Sequence, residues 1–179
     1  VRVLSRSCDV ARADQVDELR AAVEATLGPA DLVVNNAGIV VEKPLVELAE
    51  AEWDAVIDVN LKGAYLCTRA FLPSMLRRRR GRVINISSIS GRLGTPLLGA
   101  YCASKWGLIG LTKALAEELK NSGIQVNALC PGSVDTAMLR AGMSNRPADM
   151  QPEDVAKMVL FLATEAPDAL TGAAIDLFG

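Results

Sequence analysis

Apolar residues along the chain follow two alternating patterns, short runs and longer stretches with a helical period. The short runs predict strands, which we place at residues 1–8, 32–34, 83–86, 124–130 and 173–178. Apolar residues that recur every three or four positions predict helices at about residues 16–27, 50–76, 99–120 and 152–164. Strands that alternate with helices indicate a parallel sheet covered on both faces. The predicted fold class is therefore α/β, a doubly wound parallel sheet in three layers.

Three details of the pattern concern exposure and interruptions. The run at 32–34 is apolar throughout, which predicts a strand buried on both faces. Asn60 lies inside the second helix, where its side chain competes for backbone hydrogen bonds, so we expect a kink or a specific polar role there. Residues 138–150 contain glycine, asparagine and proline and predict a loop.

Composition and charge narrow the classes of partner. The chain has 179 residues, half of them apolar, which is enough for one domain with a sizeable core. No apolar run approaches the roughly 18 residues of a membrane span, and the net charge of −2 gives no reason to expect nucleic acid or a membrane surface. Arg77 to Arg80 form a basic run, which we interpret as the solvated end of a helix.

The cysteine and histidine content argues against two kinds of site. The four cysteines show no C-x-x-C spacing and the chain has no histidine, so neither a metal site nor histidine-dependent catalysis is predicted. Cys102 follows Tyr101 directly and is interpreted as a small packing residue. The first residues do not resemble a signal peptide, and reduced thiols in a cytoplasmic protein fit this composition best.

Candidate chemistry lies at the junction between the predicted strand at 83–86 and the helix that begins at residue 99. Tyr101 and Lys105 are four residues apart, so they share one helix face. A neighbouring ammonium favours a phenolate, and we therefore expect Lys105 to lower the pKa of Tyr101 and make it a proton donor and acceptor near neutral pH. Ser88, at the carboxyl end of the strand, could bring a hydroxyl to the same place.

These residues and three further motifs resemble the short-chain dehydrogenase/reductase family. In that family a serine precedes the tyrosine of Tyr-x-x-x-Lys by thirteen residues, as Ser88 precedes Tyr101. The other matching motifs are N-N-A-G at Asn35–Gly38, V-N-L-K-G at Val59–Gly63 and P-G-S-V-D-T at Pro131–Thr136. The resemblance extends over essentially the whole chain, in the order and spacing of the family, and implies a Rossmann-like fold.

The resemblance also implies catalytic roles for four residues. Tyr101 would protonate the carbonyl oxygen of a substrate, and Ser88 would orient that carbonyl group by hydrogen bonding. Lys105 would tune Tyr101 and bind the nicotinamide ribose. Asn60 would hold a water that connects Lys105 to solvent.

The same resemblance implies binding of NAD or NADP. The residues implied in binding are Asp9, Val10, Asn36, Ala37, Gly38, Tyr101, Lys105, Pro131, Gly132, Val134 and Thr136. Asp9 would meet the adenine ring, although an ordinary loop or capping aspartate explains it about as well. The residue that distinguishes NAD from NADP follows the second strand of the family and lies outside this sequence.

The glycine-rich turn that normally receives the cofactor pyrophosphate is not found in this sequence. The chain has neither G-x-G-x-x-G nor G-x-x-x-G-x-G, and its alignment with the family starts at the third strand. We therefore expect residues 1–179 to form one Rossmann-like oxidoreductase domain without its first βαβ unit. The hypothesis is that the sequence is an amino-terminally incomplete version of a longer protein.

The expected function is hydride transfer between a nicotinamide cofactor and a carbonyl or secondary alcohol. The plain architecture and the short segment at 138–150 look most like 3-oxoacyl-acyl-carrier-protein reductases. Small-ketone, sugar and polyol dehydrogenases share the scaffold and stay open as alternatives, as does a non-catalytic binding protein of the same fold.

A homo-oligomer, either a tetramer or a dimer, is the expected assembly. The helix at 99–120 carries a leucine stripe, and Trp106 and Ile109 point in other directions. A helix that is apolar on more than one face is buried on more than one face. Gly107 and Gly110 would let a second subunit approach, and related enzymes assemble through the same two long helices. The alternative is that these residues pack against the missing unit or the substrate lid.

Overall fold

A computed structural model describes residues 1–142 and 147–178. The helices are α1 (Ala13–Thr26), α2 (Glu50–Ile57), α3 (Gly63–Arg78), α4 (Gly99–Glu118), α5 (Ala137–Gly142) and α6 (Pro152–Thr164). The strands are β1 (Leu32–Asn35), β2 (Gly81–Ile86), β3 (Ile124–Pro131) and β4 (Ala174–Leu177). A π-helical segment, Asp58–Lys62, joins α2 to α3, and a 3-10 turn, Ile89–Gly91, follows β2.

The four strands form one parallel sheet in the order β1-β2-β3-β4. Val83 of β2 lies between Val33 of β1 and Val126 of β3, and Ala128 pairs with Ala174 of β4. Every residue of β3 is buried, whereas β1 and β4 lie at the two edges of the described sheet. The carboxyl ends of all four strands therefore lie at one edge of the sheet, where the predicted functional motifs follow.

Helices cover both faces of this sheet. On one face, Met75 of α3 and Ala116 of α4 pack against Val83 and Val126 in one apolar cluster. On the other face α6 packs through the apolar cluster Ile84, Leu129, Leu162 and Ala166. The predicted three-layer, doubly wound fold is confirmed.

Buried amide side chains connect the sheet to the helices close to the carboxyl ends of the strands. Asn35 donates hydrogen bonds to Asn85 Oδ1 at 2.7 Å and to Thr68 Oγ1 at 3.0 Å. Asn85 in turn donates to Thr112 Oγ1 at 2.8 Å. This chain of satisfied polar groups joins β1, β2, α3 and α4, and it places the loops after β1 and β2 relative to α4.

Two predictions about strands are wrong. Residues 1–8 form no strand, because no described strand lies beside them to accept and donate backbone hydrogen bonds. The run at 32–34 does form β1, but it is not buried on both faces, since Val34 is 38% exposed. Leu32, on the same face, contacts the α6 cluster. Val34 reaches beyond that cluster and lines a cavity at the carboxyl ends of the strands.

The predicted loop at 138–150 contains a helix. Ala137–Gly142 form α5, and the Thr136 hydroxyl accepts a hydrogen bond from Leu139 N at 3.2 Å, as a helix-capping residue does. Residues 143–146 of the predicted loop lie outside the described residues. Met150 then forms a bridge with Val134 and brings the chain back beside the end of β3.

The interpretation of Arg77 to Arg80 as a solvated helix end is wrong for Arg78, whose side chain is only 29% exposed, and holds for the other three, which are exposed. Arg78 forms an ion pair with Asp31 and donates to the Ala30 carbonyl oxygen. Arg79 has a left-handed backbone and donates to Asn121 O at 2.7 Å. These two side chains therefore brace neighbouring loops.

The second apolar face of α4 is narrower than predicted. Ile109 is buried, and a Cβ atom on Gly107 would lie 2.8 Å from Leu61 of the same chain. Trp106 is 53% exposed, and a Cβ atom on Gly110 would meet nothing within 4 Å. Only the Trp106 and Gly110 side of the helix is thus open to a further partner.

Candidate active site

A cavity of about 700 Å³ opens at the carboxyl edge of the sheet. It is lined by the loops after β1, β2 and β3, by the first turns of α4 and by one face of α6. Crevices at this edge are where α/β sheets bind their ligands. The predicted residues that line it are Asn36, Ala37, Gly38, Ser88, Tyr101, Lys105, Pro131, Gly132, Val134 and Thr136.

Ser88, Tyr101 and Lys105 lie together in this cavity. Tyr101 and Lys105 lie on one face of α4, with Lys105 Nζ 5.5 Å from the centre of the Tyr101 ring. Lys105 Nζ donates to the Ile86 carbonyl oxygen at 2.8 Å, so the last residue of β2 fixes the ammonium. Ser88 lines the same cavity as Tyr101 and opposes the rise of the Tyr101 pKa. Proton donor, hydroxyl and ammonium thus share one buried site.

Local structure fixes the Ser88 hydroxyl. Ser88 is the residue before the 3-10 turn Ile89–Gly91, and its Oγ accepts a hydrogen bond from Ser90 N at 3.1 Å. Because the oxygen is held by this backbone donor, the hydroxyl hydrogen can be directed to another oxygen in the cavity. Ser88 can therefore hydrogen-bond Tyr101 or a substrate carbonyl.

Burial controls the protonation of Tyr101 and Lys105. It raises the pKa of Tyr101, and the hydrogen bond with Ser88 only partly opposes that rise. Burial also lowers the pKa of Lys105 to about 8. The expectation that Lys105 lowers the pKa of Tyr101 is wrong for this arrangement, because the cost of burying a phenolate raises that pKa.

Asn60 braces the loop after β1. Its Nδ2 donates to Ile39 O at 2.9 Å, and its Oδ1 accepts from Ile39 N at 2.8 Å. The same Nδ2 lies 3.0 Å from Ser104 Oγ, and the residue sits in the π-helical segment Asp58–Lys62. The predicted interruption and the predicted polar role are both present. The Asn60 side chain is not part of the cavity wall.

Two serines that the sequence reasoning did not single out support the site. Ser104 Oγ donates to Tyr101 O at 2.7 Å while it accepts from Asn60, and Ser87 Oγ donates to Lys105 O at 3.0 Å. Both side chains are buried. Polar residues on the apolar face of a helix, next to Tyr101 and Lys105, were the signal that could have identified Ser104.

Gly38 lies where the loop after β1 passes Lys105. A Cβ atom at this position would be 3.4 Å from Asn60 Oδ1, 3.7 Å from Lys105 Nζ and 3.7 Å from Met138 Cε. A small residue therefore keeps the space beside the ammonium open, and α5 contributes Met138 to the cavity wall nearby.

Asp9 and Val10 lie apart from the other predicted residues. The Asp9 carboxylate accepts from Ala11 N at 3.0 Å, and Asp9 N donates to Gln15 Oε1 at 2.7 Å. Val10 packs so closely on Gly63 that a Cβ atom there would be 2.8 Å away. These contacts fit the loop or capping role for Asp9, and neither residue lines the cavity.

The residues present fit the nicotinamide end of a dinucleotide cofactor. A lysine ammonium has three hydrogens, and one of those of Lys105 is bonded to Ile86 O, which leaves donors for ribose hydroxyl groups. The cavity volume lies within the range typical of small-molecule sites, roughly 300–1,000 Å³. Small residues of the loops after β1 and β3 let a ligand approach the backbone.

Residues 1–142 and 147–178 show no sign of a metal site or of a membrane-spanning helix. No group of histidine, cysteine, aspartate and glutamate residues in these ranges could hold a metal ion. None of the helices described there has the length and apolar character that crossing a membrane requires. The four cysteines, Cys8, Cys67, Cys102 and Cys130, are free thiols.

Known proteins match this chain over most of its length. The family model described as short chain dehydrogenase matches residues 1–147. The chain belongs to the short-chain dehydrogenase family. A 3-oxoacyl-[acyl-carrier-protein] reductase FabG from Staphylococcus epidermidis is 41% identical, over 96% of this chain and 74% of that protein. The Thermotoga maritima FabG is 40% identical, over 93% and 72%. The Synechocystis 3-oxoacyl-[acyl-carrier-protein] reductase is 39% identical, over 96% and 72%.

Membership of the short-chain dehydrogenase family establishes the class of reaction. The protein is a nicotinamide-dependent oxidoreductase that acts on a carbonyl group or the corresponding alcohol. The alternative of a non-catalytic binding protein has no support from these relatives, whose names describe reductases.

Proposed function

We propose that Tyr101, Ser88 and Lys105 carry the reaction, with Asn60 as their support, and that the substrate is a 3-oxoacyl thioester. The observation that carries the proposal is the shared cavity that Tyr101 and Ser88 line beside the buried ammonium of Lys105. A proton donor, a carbonyl-binding hydroxyl and a group able to hold ribose then face one cavity.

In this proposal the residues act on the oxygen of the reacting carbonyl. The nicotinamide cofactor, when bound, supplies or accepts the hydride. Ser88 Oγ donates a hydrogen bond to the substrate oxygen and holds it beside Tyr101, whose hydroxyl gives up its proton as that oxygen becomes negative. The raised pKa keeps Tyr101 protonated at neutral pH, which suits proton donation and hence reduction.

Lys105 and Asn60 have supporting roles. Lys105 would donate its remaining hydrogens to the ribose hydroxyls of the cofactor. Asn60 would hold the loop after β1 in place through Ile39, so that Gly38 leaves the space beside Lys105 open. The proposed relay of protons through a water near Asn60 stays a prediction.

Two loops would bind the nicotinamide end of the cofactor. Residues 36–38 come from the end of β1, and residues 131–136 come from the end of β3; both line the cavity beside Tyr101 and Lys105. In the second loop Gly132 N is already bonded to Leu177 O, so β4 holds the backbone in place. An adenine contact of Asp9 stays a prediction.

The substrate class rests on the relatives and on the apolar part of the cavity wall. The related enzymes named above are 3-oxoacyl-[acyl-carrier-protein] reductases. Ile89, Met138, Val155 and Val159 line the cavity and suit an aliphatic chain better than a polyhydroxylated sugar.

The test is to measure oxidation of reduced nicotinamide cofactor by the full-length gene product with an acetoacetyl thioester, a small ketone and a ketose. We expect the highest kcat/KM with the thioester. A higher value with the ketone or the ketose would contradict the proposed substrate, and no turnover with any of them would contradict the proposed roles.

A preceding βαβ unit would complete the sheet in this proposal. β1 has one neighbour, β2, in the described sheet. A further strand beside β1 would satisfy its free backbone edge. Intact-mass measurement of the natural protein tests this. A natural, active product of 19.0 kDa, the mass of the present chain, would contradict it.

A further inference from the structure

Arg92 connects the loop that carries Ser88 to the edge strand β4. It follows the 3-10 turn that Ser88 begins, and its guanidinium reaches residues more than 80 positions away in the sequence. Its Nε donates to Asp176 Oδ1 at 3.0 Å, and its Nη2 donates to the Ala174 carbonyl oxygen. One planar side chain therefore hydrogen-bonds both the backbone and a side chain of β4.

The strand β4 also supports the loop proposed to hold the nicotinamide. Gly132 N donates to Leu177 O at 2.8 Å, and Pro131 pairs with Leu177 at the end of the β3–β4 ladder. The same strand thus holds the backbone on the cofactor side of the cavity and receives the side chain from the Ser88 side.

Cys130 lies at the same place. It pairs with Asp176 in the ladder and is fully buried. The contact of Arg92 with Asp176 therefore lies beside the end of β3, directly before Pro131.

We propose that Arg92 is a positioning residue, which fixes the distance between the Ser88–Tyr101 side of the cavity and the Pro131–Gly132 side through Asp176 and Ala174. The inference rests on the proposed roles of those residues. Hydride transfer depends on this distance, and a misplacement of about 1 Å can reduce a rate by roughly 10²-fold.

An ordinary surface ion pair is the alternative role. The side chains of Arg92 and Asp176 are 34% and 37% exposed, and pairs of this kind contribute little to stability. The two roles therefore predict different results. A surface pair would have little effect on turnover, whereas a positioning residue would slow the chemical step in a protein that remains folded.

The test compares Arg92→Ala with Arg20→Ala in the full-length gene product. Arg20 forms an ion pair with Glu24 on α1, with similar exposures of 33% and 27%, and serves as the matched control. For each variant, kcat, the cofactor KM and the thermal midpoint are measured. The primary isotope effect is also measured, with cofactor deuterated at the transferred position.

We expect Arg92→Ala to reduce kcat by roughly 10- to 100-fold, with a cofactor KM within about threefold of the original and a thermal midpoint close to that of Arg20→Ala. The isotope effect on kcat should rise, because hydride transfer becomes rate-limiting. A kcat within about twofold of the original, or a loss with an unchanged isotope effect, would overturn the inference.

Further variants keep the test decisive if Arg92→Ala does not fold. Arg92→Lys retains the charge but loses the planar fork, so it should lower kcat and raise the isotope effect to a smaller extent. The losses in Arg92→Ala and Asp176→Ala should not add in the double variant, because both remove the same contact. Additive losses would contradict the inference.

A readout besides activity separates this inference from the proposed function. Labelling of Cys130 by a thiol reagent, followed by peptide mass analysis, should accelerate in Arg92→Ala and remain slow in Arg20→Ala. Unchanged protection would show that Arg92 does not hold the two sides together. An original protein without turnover would contradict the proposed roles, while the labelling would still decide whether Arg92 makes the connection.

Discussion

At the level of single residues, burial determines which protonation states the site favours. Tyr101 and Lys105 both favour their neutral forms more than they would in water, since the pKa of the phenol is raised and that of the amine is lowered to about 8. The residue spacing identified these groups, because i and i+4 share a helix face whatever surrounds them. The direction of the Tyr101 shift depends on burial by distant segments, so the spacing could not provide it.

Substitution of Tyr101 by phenylalanine tests the proposed proton donor. Tyr101→Phe removes only the hydroxyl, and we expect kcat to fall by roughly 10²–10⁴-fold with the fold intact. Tyr65→Phe is the matched control, because Tyr65 is the other tyrosine of the chain and is exposed on α3. Steady-state rates with the preferred carbonyl substrate provide the measurement. A loss below twofold would assign the proton to another residue.

The lowered pKa of Lys105 makes stability depend on pH. Between about pH 8 and 10.5, the unfolded chain binds more protons at this residue than the folded protein does, so the free energy of unfolding rises with pH. Below pH 8 the cost of burying the ammonium is fully present. Lys105→Met lacks this titration. Between about pH 8 and 10.5, the free energy of unfolding of the original protein should therefore rise relative to that of Lys105→Met by on the order of 1–3 kcal/mol.

Urea unfolding of the original protein and of Lys105→Met at several pH values from 7 to 10.5 measures this shift. Lys113→Met, at an exposed position of the same helix, provides the control and should show almost no such shift. A shift of the opposite sign for Lys105→Met would mean that the ammonium is better solvated than its burial indicates.

At the level of elements, the sequence identified long periodic segments better than short or edge elements. The predicted bounds of α6 match the structure, because Pro152 opens a helix with a clear apolar face. The six-residue helix α5 was missed, since a helix of fewer than two turns shows little periodicity. Residues 1–8 alternate like a strand, yet a strand requires a neighbour that composition does not reveal.

The interruption at Asn60 was predictable for a local reason. Asparagine is unfavourable inside a helix, and here the helix adopts a π-helical segment while the side chain bonds the backbone of Ile39. Which backbone group Asn60 would bind was not predictable, because the loop after β1 lies 21 residues earlier in the sequence.

The turn between α4 and β3 requires a glycine at position 123. Gly123 has φ +82°, and a Cβ atom there would be 2.1 Å from Arg79 O. Gly123→Ala should therefore lower the free energy of unfolding by at least about 1–3 kcal/mol. Gly94→Ala is the control, since nothing lies within 4 Å of its Cβ position. Denaturant unfolding compares the two, and equal stability would mean that the turn rearranges at little cost.

At the level of the whole molecule, the carboxyl and amino ends of the strands differ in function. The cavity lies at the carboxyl ends, whereas arginines stabilise the loops near the amino ends. Arg82 donates to Leu162 O and Ala166 O at the end of α6, and Arg78 holds the loop before β1. Consecutive strands are neighbours in the described sheet, as they are in most folds.

The remaining open surface of α4 bears on assembly. Trp106 is 53% exposed, and Gly110, one turn further along the same side, leaves room for a close neighbour. On α3, Tyr65 and Leu76 are also exposed. Large apolar side chains of this kind on neighbouring helices favour burial against another surface.

We therefore predict a homo-oligomer that uses the Trp106 side of α4. Trp106→Glu places a charge in this contact and should lower the molecular mass measured by light scattering at micromolar concentration, while the circular dichroism of the helices is retained. Val46→Glu is the control, because Val46 is exposed outside the long helices and should leave the mass unchanged. If the original protein is already a monomer, the prediction is wrong, and a preceding βαβ unit or a substrate lid must cover Trp106 instead. If the protein is an oligomer whose mass Trp106→Glu does not change, it assembles through a different face.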